Sequence, residues 1–291
     1  MKIGLVIASR DRAEILSKVL NIVVSQARPP DEIVISVVQS SDIPEMKFRG
    51  IPVTTVLGEA GLTRQRNKGL CHLIDKVDVI VFIDDDFIVG DDYFLNVERI
   101  FAQDNSIVGL QGKVIADGAN SPGYTFEQGL RFVEDHRENP SQEPVTRDIE
   151  GTYGCNMAFR IVSIGSIRFD ERLPLYGWQE DLDFCGALRG IGRIVTTERV
   201  WGAHLGTKRG KGSEVRLGYS QIINPAYIVR KGNMSPYYAF RLASKNFMAN
   251  LAKSIRPESY VDRRGRLRGN FIGIYHLALG RLTPEYVYQL K

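Results

Sequence analysis

The chain is 291 residues long, 43% hydrophobic and 25% charged, with a formal net charge of +4, which bounds it as an ordinary soluble globular protein able to bury a sizeable core. It contains no run of eighteen apolar residues, and Met1-Lys2-Ile3-Gly4 enters a strand directly instead of opening a signal peptide, so neither a membrane span nor export by that route is expected. Cys71, Cys155 and Cys185 are odd in number and widely spaced, which argues against a disulfide framework or a zinc site and fits a reducing cytoplasm.

Residues 2–9 read as a buried strand through Ile3, Leu5, Val6 and Ile7, and Asp11-Arg-Ala-Glu14 has the form of a capping box with Asp in the lead position. The helix it opens carries Ile15, Leu16, Val19, Leu20 and Val23 at helical spacing, and Pro29-Pro30 closes it before a second strand at 32–38. This order predicts a βαβ unit with parallel strands and a right-handed crossover. A third strand at 52–57 runs through Gly58-Glu-Ala-Gly61-Leu-Thr63 into a helix bearing Arg64, Arg66, Asn67 and Lys68. That turn is either an anion site, with N–H groups and cations converging, or a set of solvated helix charges, since its glycine spacing matches no phosphate loop.

The strand at 79–83 is β-branched or aromatic throughout and ends in Asp84, Asp85 and Asp86. Ligands of an open α/β sheet bind beyond the carboxyl ends of its strands, so these carboxylates stand where chemistry is expected. Alternation places Asp84 and Asp86 on one side and Asp85 on the other. Like charges this close demand a cation, and hard oxygen donors suit Mg2+ or Mn2+ bound to phosphate. The competing reading is a solvated acidic turn capping the next helix, but Asp91 and Asp92 already fill that position ahead of Tyr93-Phe94-Leu95.

A helix with Phe94, Val97, Ile100 and Phe101 on one face follows, then a strand near 107–114. Residues 116–150 lose periodicity and collect Gly118, Pro122, Gly123, Pro140 and Pro144, predicting a long loop with at most one helical turn near 126–132, suited to substrate recognition or to a lid. Residues 154–160 return to the sheet as a strand. An irregular, aromatic-rich stretch at 169–179 leads to Glu180-Asp181-Leu182-Asp183, which opens a helix through Phe184, Cys185 and Leu188; complementarity to the helix dipole is the plain explanation of its acidic start. A strand at 193–200 delivers His204.

Two helices are expected beyond residue 214, at 215–230 and 236–255, followed by Arg263-Arg264-Gly-Arg266-Leu-Arg268 and an apolar run at 271–279. From Arg241 to Arg281 nine Lys or Arg stand against only Glu258 and Asp262, a local excess of +7 that leaves the rest of the chain near −3. Concentrated basic charge beside short apolar helices suits attachment to an anionic membrane surface; the alternative is a helical cap with a solvated basic face. The cluster lacks interleaved aromatics for base stacking, so no nucleic-acid partner is expected.

Four motifs, in their order and separation, resemble the inverting nucleotide-sugar glycosyltransferases of family 2: Val6-Ile-Ala-Ser9-Arg-Asp-Arg12, Gly61-Leu-Thr-Arg-Gln-Arg66-Asn67-Lys-Gly69, Phe82-Ile-Asp84-Asp-Asp86 and Gly177-Trp-Gln-Glu180-Asp181-Leu-Asp183. The resemblance spans most of residues 3–205. It implies an α/β architecture of GT-A type, with a mixed, mostly parallel central sheet flanked by helices. The catalytic domain would occupy 1–214, with nucleotide-sugar binding in about 1–115 and the acceptor part in about 116–214, and a helical extension would occupy 215–291.

The resemblance further implies that Asp84 and Asp86, with His204 as a further ligand, hold Mn2+ or Mg2+ against the donor diphosphate. It implies donor contacts from Ala8, Ser9, Arg10, Arg12, Gln39, Arg64, Arg66, Asp84 and Asp85, a general base in Asp181, and acceptor hydrogen bonds to Glu180. The reaction would be a single inverting displacement from a UDP- or dTDP-sugar to a glycan or lipid-linked acceptor, in the cytoplasm or on the inner face of the cell membrane. Relatives commonly end the second strand in Asp-Asp-Gly-Ser; here Val37-Val38-Gln39-Ser40 lacks the base-reading carboxylate and leaves the nucleotide open. One rival is a sugar-nucleotide pyrophosphorylase, whose glycine-rich phosphate signature is replaced by Ser9-Arg10-Asp11-Arg12. The other is a non-catalytic sugar-binding or scaffold domain, in which Asp84, Asp86, Glu180 and Asp181 would be costly without a ligand.

Overall fold

The computed structural model describes residues 1–46, 50–138, 146–208 and 213–291. In chain order these form β1 (Ile3–Ser9), α1 (Ala13–Val24), β2 (Glu32–Val37), β3 (Val53–Leu57), α2 (Leu62–Leu73), β4 (Val79–Asp84), β5 (Phe87–Val89), α3 (Tyr93–Gln103), β6 (Ile107–Asp117), α4 (Phe126–Glu138), β7 (Arg147–Asp148), β8 (Asn156–Arg160), the single turn α5 (Ile161–Ile164), α6 (Glu180–Leu188), β9 (Arg193–His204), α7 (Glu214–Lys231), α8 (Pro236–Lys253) and α9 (Arg263–Ala278). The chain divides into two compact units. The first comprises 1–60, 64–168 and 188–210, and the second 61–63, 169–187 and 211–291.

In the first unit, alternation along β1 decides how the sheet is covered. Ile3, Leu5 and Ile7 enter a core cluster with Leu16, Val19, Leu20 and Val23 of α1 and with Phe94, Val97 and Phe101 of α3. The opposite face lies under α2, where a Cβ on Gly69 would meet Val6 Cγ1 at 2.4 Å, so only glycine allows that helix to approach the strand. The strand order is β3-β2-β1-β4-β8-β6-β9-β5, with β7 beside β9. β1 to β4 are mutually parallel, β8 runs antiparallel between β4 and β6, and β6 and β9 are parallel again. The reversal at β8 returns β6 and β9 to the direction of β1 and β4, so the C-termini of these strands meet at one sheet edge, while β5 and β7 run antiparallel to β9. This is the mixed, mostly parallel sheet flanked by helices that the sequence predicted.

Four local expectations need correction. The capping box at Asp11 does not form: Asp11 sits at φ +58°, its amide donates to Asp42 Oδ1 at 2.8 Å, and Arg12 occupies the cap position without a side-chain cap bond. Nor does Asp92 cap α3 through its side chain; it too is left-handed (φ +51°), and Tyr93 N instead donates to Gln26 Oε1 at 3.1 Å. The single turn expected near 126–132 is the 13-residue α4. Its helical signal is weak because it packs through a glycine: a Cβ on Gly129 would lie 2.4 Å from Leu205 Cδ2. The Pro140 to Pro144 part of that expected loop lies outside the described residues.

The fourth correction concerns the second unit, where three helices rather than two follow residue 213. The Arg263 to Arg268 cluster is itself the start of α9, capped by Asp262 Oδ1 accepting from Gly265 N at 2.8 Å. No helix among the described residues is long and apolar enough to cross a membrane.

Candidate active site

β4 ends at Asp84 and β5 begins at Phe87, so Asp85 and Asp86 form the turn between them. β5 then lies antiparallel to β9 with Phe87 opposite His204, and β6 lies parallel to β9 with Asp117 opposite the same histidine. Topology alone therefore brings Asp84, Asp86, Asp117 and His204 to one place. His204 Nε2 lies 3.4 Å from Asp86 Oδ1 and 3.7 Å from Asp84 Oδ2, while Nδ1 is 2.8 Å from Asp117 Oδ1. One donor atom each from Asp84, Asp86 and His204 falls within 4.8 Å of the others. Asp86 is buried and its Oδ1 accepts no hydrogen bond among the described residues, which fits a metal ligand better than a structural carboxylate. Two hard oxygens and one imidazole fit Mn2+ or Mg2+.

Asp85 points to a different set of partners. It accepts from Ser9 Oγ at 2.6 Å and pairs with Arg12 Nη1 at 2.7 Å, and Arg12 Nη2 also donates to Thr207 O at 2.7 Å. Asp84 pairs with Arg66 Nη2 at 3.3 Å, and the same nitrogen donates to Gly154 O at 2.7 Å, so Arg66 is buried and braces the carboxylate. Ala8 lies beside Asp84 across the β1–β4 ladder. Arg10 is exposed beside Asp11, Gln39 Nε2 donates to Asp11 Oδ1 at 3.1 Å, and Arg64 pairs with Glu59.

His204 and the carboxylates around it shift one another's ionisation. Burial would depress the His204 imidazolium, but its hydrogen bond to Asp117 and the negative charges of Asp86 and Asp84 raise it to about 10. Burial likewise works against ionised Asp86, yet His204, Arg12 and the Thr207 amide outweigh it and hold that carboxyl below the usual range. Burial pushes the Asp85 carboxyl up against the opposing pull of Arg12.

In the second unit, the chain before α6 passes through three left-handed residues, Leu175, Gly177 and Gln179, and then presents Glu180 and Asp181 in the first turn of the helix. Glu180 is buried, and Asp181 is half-buried with Oδ1 accepting from Leu182 N at 2.8 Å. Asp183 does more than complement the helix dipole: Lys231 Nζ lies 2.5 Å from its Oδ2 and Asn233 Nδ2 donates to Oδ1 at 2.8 Å, tying α6 to the end of α7. Lys231→Met will leave this buried carboxylate without its cation, held only by Asn233, and destabilise the protein by about 3 kcal/mol. Chemical denaturation measures that loss, and an unchanged midpoint would show that the pair does not anchor α6.

Residues 2–150 match the family described as glycosyltransferase like family 2. The chain belongs to this family. No curated protein matches it in sequence. Its fold is similar to that of residues 1–349 of S. aureus TarS in complex with UDP-GlcNAc, at 13% identity and a TM-score of 0.58, covering 99% of this chain and 88% of that one. It is also similar to the mannosyltransferase PcManGT of Pyrobaculum calidifontis in complex with GDP-Man and Mn2+, at 14% identity and a TM-score of 0.54, covering 99% and 85%. GalNAc-T7 with UDP, GalNAc and Mn2+ matches at 11% identity and a TM-score of 0.52 over 100% of this chain and 56% of that one. These likenesses establish the GT-A fold.

For this family 2 glycosyltransferase, sequence reasoning missed Asp117. The expected strand stopped at residue 114, three short of the carboxylate that ends β6, and the available signal was the continued run Val114-Ile-Ala before it. Asp117 also receives Tyr153 Oη at 3.4 Å and the Ala119 amide at 2.9 Å, so it is fixed while it orients His204. If Asp84, Asp86 and His204 hold the cation, Asp117→Ala will weaken Mn2+ binding about 10–100-fold, as loss of a carboxylate behind a metal-ligating histidine does. Titration followed by Mn2+ EPR reads this directly; an unaltered Kd would reduce Asp117 to a strand cap.

Proposed function

We propose that this glycosyltransferase moves a sugar, with inversion, from a nucleoside-diphosphate donor to a hydroxyl of a glycan or glycolipid, with 1–214 as the catalytic domain and 215–291 as a helical extension. The observation that carries the reading is the convergence of Asp84, Asp86 and His204 at the sheet edge, with a buried carboxylate oxygen lacking a hydrogen-bond partner. These three residues would hold Mn2+ or Mg2+, whose Lewis acidity offsets the charge that builds on the leaving diphosphate.

The chain's own residues supply the rest. Arg12 and Ser9 fix Asp85, and Arg66 fixes Asp84, so the carboxylates are oriented before the donor arrives. Asp181 takes the proton of the acceptor hydroxyl as it attacks the anomeric carbon from the face opposite the diphosphate, and one such displacement inverts configuration. A carboxylate is a weak base that helps chiefly as the hydroxyl acidifies in the transition state. Glu180 accepts hydrogen bonds from the acceptor sugar. UDP- and dTDP-sugars are the proposed donors, with Gln39 or Ser40, just beyond β2 where relatives place a base-reading carboxylate, offering hydrogen bonds to a pyrimidine.

The test is a thermal-shift comparison of UDP, dTDP, GDP, CDP and ADP, each with and without Mn2+, on the wild type and on Asp84→Asn. A diphosphate at 100 times its Kd stabilises the folded state by about 2.7 kcal/mol. Stabilisation by one diphosphate that needs Mn2+ and is lost in the variant is the expected result. Absence of stabilisation by all five would turn the reading toward a non-catalytic domain.

A further inference from the structure

α8 is built inside out. Its inner side carries Ala239, Asn246 and Asn250, while Tyr237, Phe240, Met248 and Leu251, with Ile255 just beyond the helix, are exposed; Tyr237, Phe240 and Ile255 are 75%, 73% and 78% accessible. Their spacings of three, eight, three and four residues keep these five side chains on an arc of roughly 80° at 3.6 residues per turn. α9 repeats the pattern: Gly265, Gly269, Asn270, Gly273 and His276 are buried, whereas Phe271, Ile274 and Tyr275 are exposed. The rings of Phe247 and Phe271 meet edge-to-face at 5.6 Å, joining the two helices beside the outer rows.

The interior that holds these helices is correspondingly polar and thin. Asn250 Nδ2 donates to Gln221 Oε1 at 2.8 Å and Asn270 Oδ1 at 2.9 Å, and Asn270 Nδ2 donates to Gly218 O at 2.7 Å. A Cβ on Gly218 would lie 2.0 Å from Arg266 O, so α7 and α9 touch backbone to backbone. Small residues and amide hydrogen bonds within, with large apolar side chains outside, is how helices associate where the outside is not water. A contiguous apolar surface of this kind marks an interaction site.

We propose that the outer face of α8 and α9 docks on an anionic lipid surface. Charge selects this occupant. Arg241, Lys245, Arg256 and Arg268 are exposed and have no acidic partner among the described residues, while Glu258 is already neutralised by Lys253 and Arg263. Arg264 and Arg268 fall on the same side of α9 as Phe271 and Tyr275 at helical spacing, so cations and aromatics face outward together. Lipid phosphates satisfy those cations and acyl chains accept the apolar rows, whereas a second copy would bring like charges face to face. With no helix able to span a bilayer among the described residues, the contact is one of lying on the surface. It deepens the proposed function by placing a lipid-linked acceptor at the same surface; that part rests on the transferase reading, whereas docking itself is measured without catalysis.

The experiment is co-sedimentation of the full chain with vesicles of phosphatidylglycerol and phosphatidylcholine, against phosphatidylcholine alone. Two variants accompany it, Phe240→Ser/Phe271→Ser and Arg241→Gln/Lys245→Gln/Arg268→Gln, with melting temperature and solution mass measured for each. Binding to the anionic vesicles only, reduced at least tenfold in both variants at unchanged melting temperature, is the expected result. Should the apolar pair disturb folding, the charge variant decides alone. No binding to anionic vesicles, equal binding by the folded variants, or a solution oligomer that the Phe240→Ser/Phe271→Ser variant dissolves would overturn the proposal; loss of docking with the diphosphate thermal shift intact would leave the transferase reading standing.

Discussion

Asp181→Asn will lower kcat for sugar transfer about 10²–10⁴-fold while leaving Mn2+-dependent binding of the nucleoside diphosphate in place. The substitution keeps the size of the side chain and the oxygen that accepts from Leu182 N, so α6 retains its first turn and the effect isolates proton acceptance. An amide cannot take a proton from the attacking hydroxyl, and the loss therefore appears in kcat more than in the acceptor KM. Glu180→Gln is the matched control: if Glu180 binds the acceptor sugar, the acceptor KM rises and kcat changes less. Steady-state kinetics with the diphosphate-sugar identified by thermal shift, paired with the thermal shift itself, separates the two roles. An Asp181→Asn enzyme with wild-type kcat would assign the base elsewhere.

The parts of the fold legible in the sequence are those whose signals are local and repeated. β1, β4 and α1 declare themselves by unbroken apolar residues or by helical spacing, and the abrupt end of β4 in Asp84, Asp85 and Asp86 marked the sheet edge. Residues that acquire their role from topology were harder to read. His204 carries no neighbouring ligand pattern, because its partners sit at the ends of β4 and β6, far away in the chain. Asp117 was passed over because an irregular, bulged ladder with β9 carries β6 beyond its alternating core.

Capping signals at Asp11 and Asp92 failed for a shared reason: both residues are left-handed instead of holding the extended conformation from which an N-cap side chain reaches the first-turn amides. At Asp11 the turn serves the site, since it delivers Arg12 to Asp85. In α8, Tyr237, Phe240, Met248 and Leu251 point outward, and the structure buries Ala239 and Asn250 instead. Hydrophobic periodicity alone finds a helix, but only its partners decide which stripe faces inward.

Asp86→Asn will abolish the Mn2+-dependent part of the diphosphate thermal shift and weaken Mn2+ binding more than about 100-fold, beyond the upper end of what losing an outer-shell partner costs. Asp86 Oδ2 accepts from Thr207 N at 2.6 Å and its backbone carbonyl accepts from Leu205 N at 3.0 Å; asparagine keeps both bonds. The polypeptide around the turn therefore stays in place, while loss of the charge that pairs with His204 and Arg12 lowers the melting temperature without metal, an offset read by comparing each variant with and without Mn2+. What disappears is the negative charge that faces His204 and would face the cation. Asp85→Asn provides the contrast, because Asp85 is engaged by Ser9 and Arg12, so its loss disturbs the orientation of Arg12 while leaving Asp84, Asp86 and His204 to hold the ion. Mn2+ titrations on the two variants should thus separate by more than tenfold. Similar Mn2+ affinities in both would mean that the cation is held by the acidic run as a whole, and that the division of labour between Asp85 and its neighbours is wrong.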